Sequence, residues 1–85
     1  MSSLSEHKKM LMAKERSSYL LNMLVKHYGL SNDDAYIWLI QSKTYALVMD
    51  IDGLFYYAPE IGLWDLLMCE YENRLEDWKM KIISY

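Results

Sequence analysis

The chain has 85 residues, enough for one domain over residues 1–85 and too few for a second hydrophobic core. Hydrophobic residues make up 53% of the sequence, and this density excludes an intrinsically disordered protein. The net charge of −3 is uneven: residues 1–43 carry six Lys/Arg against four Asp/Glu, whereas residues 44–85 carry three against eight. An acidic half repels nucleic acid and attracts basic proteins, so we expect a protein partner with basic character and no nucleic acid.

The single cysteine, Cys69, excludes an internal disulfide and is typical of a reducing compartment. Lys8 and Lys9 are followed by only four apolar residues before Lys14, so no signal peptide is recognisable. The longest apolar run has six residues, far fewer than a membrane-spanning helix needs. We therefore expect a cytoplasmic protein that does not enter a membrane.

The first predicted helix ends at about Tyr28, after a stretch at residues 1–5 that we expect to be frayed. Gly29 ends this helix because glycine adopts the left-handed conformation without a Cβ penalty. Ser31 is a good N-cap for a second helix over residues 32–41, and the acidic residues that follow suit its first turn. Residues 35–40 are apolar nearly all round, which is typical of a buried, central helix.

Residues 45–58 have two interpretations. A period of two on both sides of Asp52-Gly53 predicts a β-hairpin with a tight turn. A helical period that places Leu47, Val48 and Ile51 on one face predicts a short helix instead. The helix is the favoured interpretation, because an isolated hairpin is marginal in water and the other elements are helical.

The last predicted helix starts at Pro59, which suits the first helical position. Its apolar residues alternate spacings of three and four without a break: Trp64, Leu67, Met68, Tyr71, Leu75, Trp78 and Ile82. The expected fold is therefore all-α, a small bundle of three to four helices with an irregular segment, or a hairpin, at residues 45–58.

The sequence offers little for catalysis or metal binding. Cys69 lies in mid-helix without a glycine-rich turn to expose it, so we interpret it as a buried apolar residue. A calcium loop starting at Asp50 fails, because its fifth and sixth positions hold Leu54 and Phe55. Residues 45–50 lack the Arg, Lys, Asn or Gln of a DNA-recognition helix. We expect no enzyme, no cofactor and no metal.

Two apolar groups are candidates for protein interaction. The first lies in the segment before the last helix and either caps the open end of the core or forms a docking patch. The second lies on the last helix, whose stripe of about 27 Å is longer than so small a domain can cover. This excess predicts a homodimer through the last helix, with the apolar residues 10–12 as competing cover. The candidate residues are Leu54, Phe55, Tyr56, Tyr57, Trp64, Tyr71, Leu75 and Trp78.

Turn and cap residues at four places carry a resemblance to a known group of proteins: Gly29-Leu30-Ser31 with Ala35-Tyr36, Ser42-x-Thr44-Tyr45, Asp50-x-Asp52-Gly53-Leu54, and Ala58-Pro59-Glu60. With this spacing, residues 18–72 resemble small uncharacterised bacterial helical proteins, some of them encoded beside toxin-like ADP-ribosyltransferase domains. The resemblance implies an antitoxin-like or accessory binding role and transfers no functional residue. We therefore expect a non-enzymatic protein-interaction module of a bacterium or phage, with a self-associating structural protein as the alternative.

Overall fold

Five α-helices make up the part of the chain that the structure describes. This computed structural model describes the backbone of residues 2–50 and 58–84, and the side chains of residues 7–50 and 58–83. The helices are α1 (Ser2–Tyr28), α2 (Asn32–Gln41), α3 (Lys43–Met49), α4 (Glu60–Tyr71) and α5 (Leu75–Ser84). The all-α prediction is confirmed. The predicted number of three to four helices is too low, because the last predicted helix is two helices.

The stop between α1 and α2 follows the sequence signals. Gly29 has φ 69°, and its N–H donates to the Val25 carbonyl at 3.0 Å, which closes α1 with a left-handed residue. Ser31 precedes α2, and its Oγ accepts a hydrogen bond from the Asp34 N–H at 3.1 Å. The predicted bounds of both helix ends are confirmed. α1 begins at Ser2, within the stretch that the sequence predicts to be frayed.

The helical interpretation of the next segment is confirmed by α3. Ser42 joins α2 to α3: its Oγ donates to the Leu39 carbonyl at 2.7 Å and accepts from the Tyr45 N–H at 3.0 Å. One residue therefore ends the first helix and caps the second. The hairpin alternative is wrong for residues 45–49, which are helical, and its remaining residues 51–57 lie outside the described part of the chain.

The single long helix predicted from residue 59 onward is wrong. Pro59 is the N-cap of α4, and the helix stops at Tyr71. The Asn73 N–H then donates to the Glu70 carbonyl at 3.1 Å, and the Arg74 N–H donates to the Cys69 carbonyl at 2.7 Å. With Asn73 at φ 60°, these bonds form a Schellman motif that redirects the chain into α5. We call residues 72–74 the α4–α5 corner.

The core lies between α1 and α4. Leu20 and Leu24 of α1 are fully buried, as are Leu63, Leu66 and Leu67 of α4. α3 packs on both α1 and α4, α2 packs on α1 and α3, and α5 packs mainly on α4. The prediction that the second helix is the buried centre is wrong, because α2 buries only one of its sides. No helix in the described ranges combines the length and the apolar character that crossing a membrane requires.

Candidate functional site

A half-buried carboxylate joins α4 to the start of α3. Glu70 Oε2 accepts the Lys43 N–H at 2.7 Å, while its Oε1 accepts the Thr44 N–H at 2.9 Å and the Thr44 hydroxyl at 2.8 Å. A negative charge at a helix N-terminus is stabilised by the helix dipole and by the free N–H groups there. Thr44 is fully buried, so the two bonds that it donates are partly shielded from water, whereas the bond from Lys43 is exposed. Glu70 thus caps α3 from a distant part of the chain.

α5 is attached to the same threonine. Trp78 Nε1 donates to Thr44 Oγ1 at 3.0 Å, so the hydroxyl accepts from Trp78 and donates to Glu70. The ammonium of Lys43 lies 5.8 Å from the centroid of the Trp78 ring, within the range of a cation–π contact. Three helices therefore meet at one hydroxyl group.

A second polar contact lies at the α4–α5 corner. The Tyr28 hydroxyl donates to Glu72 Oε2 at 2.6 Å, and Arg74 pairs with Glu72 and with Asp77, each at 3.1 Å. Burial, together with the Glu72 carboxylate, raises the pKa of Tyr28 above its ordinary value of 10.0. The hydrogen bond from Tyr28, helped by Arg74, lowers the pKa of Glu72 below 4.5. The bond to Asp77 raises the pKa of Arg74, which stays cationic.

Aromatic rings pack around this contact. Tyr28 stacks on Tyr71 with 4.1 Å between the ring centroids, and Trp38 meets the other side of the cluster edge-on at 4.9 Å from Tyr71. Trp64 lies 6.1 Å from Tyr28, and His27 lies 5.6 Å from Trp64. The edge-on and tilted pairs fall within the separations at which aromatic contacts are favourable, and the Tyr28–Tyr71 stack is closer than they are. The cluster fixes the end of α1 against α4.

Two shallow surface hollows are lined by residues that the structure describes, and neither assembles catalytic groups. One of about 300 Å³ lies between α2 and the α4–α5 corner, and its polar groups Ser42 and Glu70 are engaged in the caps described above. The other, of about 350 Å³, lies between α1 and the start of α4, and its lining includes Met12 and Pro59. A nucleophile needs a neighbouring base, and the lining of these hollows brings none to a free hydroxyl or thiol.

The described residues form neither a metal-binding cluster nor an exposed thiol. Within residues 7–50 and 58–83, no three His, Cys, Asp or Glu side chains converge in a way that suits a metal ion. Cys69 is buried in α4, as expected of a small apolar residue in the core.

The outward side of α2 carries an exposed apolar surface in the described part of the chain. Tyr36, Ile37 and Ile40 are 55%, 51% and 41% exposed, whereas Ala35 and Leu39 on the opposite side are buried. Positions 33, 36, 37 and 40 share one helical face by their spacing of three, four and seven. We call these four residues (Asp33, Tyr36, Ile37 and Ile40) the outer face of α2.

The structure uses three of the predicted interaction residues within the chain and leaves one outward. Trp64 is 6% exposed in the core, Tyr71 stacks on Tyr28, and Trp78 bonds to Thr44. Leu75 is exposed at the start of α5. The segment with Leu54, Phe55, Tyr56 and Tyr57 lies outside the described residues, and its docking role stays a prediction.

Sequence reasoning missed the outer face of α2 and the contact of Glu70 with Thr44. The outer face of α2 could have been predicted, because a ten-residue helix that is apolar on every side has more apolar surface than one neighbouring helix covers. The second joins residues 26 apart and has no local pattern. Comparison with protein-family models, curated proteins and solved structures finds no match to this chain.

Proposed function

We propose that this chain is a non-enzymatic protein-interaction module whose contact surface is the outer face of α2. The observation that carries the proposal is the exposure of Tyr36, Ile37 and Ile40 on a helix whose opposite side is packed. Burying a large apolar side chain completely is worth about 1.5–3 kcal/mol, so a partner that covers these half-exposed groups recovers a fraction of that for each. Tyrosine is also among the residues that contribute most at interface centres.

Charge defines the chemistry of the partner. Asp33 lies on the outer face of α2, Asp34 follows it, and the sequence has no Lys or Arg between Lys26 and Lys43. The complementary ligand is an amphipathic helix with apolar residues at spacings of three and four and with Lys or Arg beside them. Its apolar stripe packs on Ile37 and Ile40, and its basic residues meet the acidic end of α2.

The biological setting that we propose is a bacterium or phage in which the chain binds a larger protein in an antitoxin-like or accessory role. The support for this setting is the resemblance of residues 18–72 described above. An enzymatic role has no comparable support: Ser42 and Glu70, which line one of the described hollows, serve as helix caps.

The proposal is tested by expressing the chain in its cell of origin with a photo-crosslinking amino acid at position 37. The matched control carries the same amino acid at position 65, which is also exposed but lies on α4. We expect one partner captured from position 37 and absent from position 65. Identical products from both positions would contradict the proposed surface.

The captured partner is then purified and titrated against variants of the chain. Ile37→Asp should weaken binding at least tenfold, and Ile83→Asp, the same change at a still more exposed position on α5, should leave it unchanged. Asp33→Asn should weaken binding less and reduce its dependence on salt, as expected of a charge at the interface rim. Full affinity of Ile37→Asp would exclude the outer face of α2.

A further inference from the structure

The apolar stripe of α4 and α5 continues in register across the point where the helix stops. Trp64, Tyr71 and Trp78 follow one another at intervals of seven, and a second series lies four residues after each of them. That second series is Met68, Leu75 and Ile82. Such a repeat places all six side chains on one face of a single straight helix. The sequence therefore encodes a continuous helix over residues 60–84 as well as the bent arrangement.

The α4–α5 corner contains no residue that forbids a helix. Glu72 and Arg74 are good helix formers, and Asn73 costs only tenths of a kcal/mol there. In the bent arrangement, Asn73 instead occupies the left-handed region at φ 60°, which is unfavourable for residues with a Cβ. The position before α5 is held by Arg74, whose guanidinium cannot accept the N–H bonds that an N-cap residue accepts.

The contacts between α5 and the rest of the domain can form equally well when α5 comes from a second copy of the chain. Trp78 and Ile82 pack against the core cluster, and Trp78 Nε1 bonds to Thr44 of α3. An α5 supplied by a second copy reproduces each of these contacts. Exchange of an identical element through a short hinge is a low-cost route to a dimer.

We propose that two copies of this chain form a dimer by exchanging α5, with the α4–α5 corner straightened into one helix of about 37 Å. Trp78 of each copy then donates to Thr44 of the partner subunit, and the exposed Leu75 of each copy lies near the two-fold axis. The exchange removes two left-handed asparagines and gives up the bonds of Glu72 with Tyr28. This inference goes beyond the proposed function, because the outer face of α2 takes no part in the exchange.

Light scattering over a concentration series, with variants of Asn73, tests the exchange. Asn73→Ala favours the straight helix, and Asn73→Gly favours the left-handed turn. Because each dimer contains two corners, we expect Asn73→Ala to lower the dissociation constant of the dimer at least tenfold, and Asn73→Gly to raise it. Asn22→Ala, the same change at an exposed position within α1, is the matched control and should change nothing.

A distance measurement distinguishes exchange from association of outer surfaces. Spin labels at the exposed positions 61 and 83, with labelled chains diluted in unlabelled ones, should lie about 33 Å apart within one chain in the dimer fraction and closer in the monomer fraction. Ile83→Asp should leave the dimer intact, because Ile83 lies outside the exchanged contacts. Circular dichroism confirms that each variant is folded.

Three results would overturn the proposal. The first is a mass near the monomer value of 10.2 kDa for both the original chain and Asn73→Ala up to several hundred micromolar. The second is a dimer whose dissociation constant does not respond to Asn73. The third is a dimer abolished by Ile83→Asp, which would place the contact on the outer side of α5.

Discussion

α1 and α4 both end at a residue with positive φ, yet the two stops are built differently. At the first, Gly29 takes the left-handed conformation at no steric cost, and Ser31 caps the helix that follows. At the second, Asn73 takes the same conformation at a cost, and Arg74 occupies the place of the cap. Local sequence therefore fixes the first stop, whereas the second depends on contacts that α5 makes elsewhere.

The two stops also touch. Tyr28, the last residue of α1, donates its hydroxyl to Glu72, the C-cap of α4, and its ring stacks on Tyr71. The end of α1, closed by Gly29, thus stabilises the end of α4, which is closed by Asn73. A helix end that is closed by a left-handed asparagine can be stabilised by a neighbouring helix end that is closed by glycine.

The largest decrease in stability is expected at Thr44, which holds α5 in place after the α4–α5 corner. Thr44→Val removes the hydroxyl that accepts from Trp78 and donates to Glu70, and leaves a partly buried indole N–H without its acceptor. Loss of a buried hydrogen-bond partner costs about 1–3 kcal/mol, so we expect a decrease of about 2 kcal/mol in the free energy of unfolding. Urea denaturation followed by circular dichroism measures it.

Thr44→Ser is the control for this change, because it keeps the hydroxyl and loses only a methyl group. It should retain more than half of the stability that Thr44→Val loses. Equal midpoints for Thr44→Val and the original chain would show that α5 is held by apolar contacts alone.

A smaller effect is expected at the first stop. Gly29→Val should lower the free energy of unfolding by about 1–2 kcal/mol, because a β-branched residue resists the left-handed conformation. A Cβ at this position meets no atom within 4 Å, so the loss measures backbone strain and not a clash. Gly29→Asn should cost less, since asparagine tolerates this conformation, as Asn73 does. An unchanged denaturation midpoint for Gly29→Val would contradict the left-handed stop.

The contrast also explains which parts of the fold the sequence predicts. Gly29 and Ser31 act through their own backbone and neighbours, and the bounds that they predict for α1 and α2 agree with the structure. At the corner, the preference of Asn73 for the left-handed region is a weak signal, and the unbroken apolar stripe outweighs it. An apolar stripe shows only which side of the helix is apolar. A straight helix and two helices joined by a bend can both place that side against the core.

Non-local contacts account for the rest of what the sequence does not predict. Glu70 has the pattern of a solvent-exposed helical residue, and its role as a cap depends on where α3 packs against α4. Residues 35–40 predict burial on every side, but a small domain has only enough neighbours to cover one side of α2. The candidate surface is therefore visible only once the packing of α2 is known.

The smallest effect concerns pH and the bond that links the two stops. The pKa of Glu72 is lowered in the folded protein, so its contribution is present above about pH 4.5 and is lost as the pH falls further. The pKa of Tyr28 is raised, so its contribution is present below about pH 10 and is lost as the pH rises above that value. Tyr28→Phe keeps the stacked ring, and it removes the Tyr28 contribution and the part of the Glu72 contribution that the hydroxyl supplies. The stability difference between the original chain and this variant should be flat between about pH 5 and pH 9 and should shrink towards both extremes.

Tyr36→Phe, on the outer face of α2, is the control and should follow the pH profile of the original chain. A difference that stays constant down to pH 2 would mean that the Tyr28 hydroxyl and the Glu72 carboxylate do not stabilise the folded state as a pair, and that the end of α1 supports the corner through the stacked ring alone.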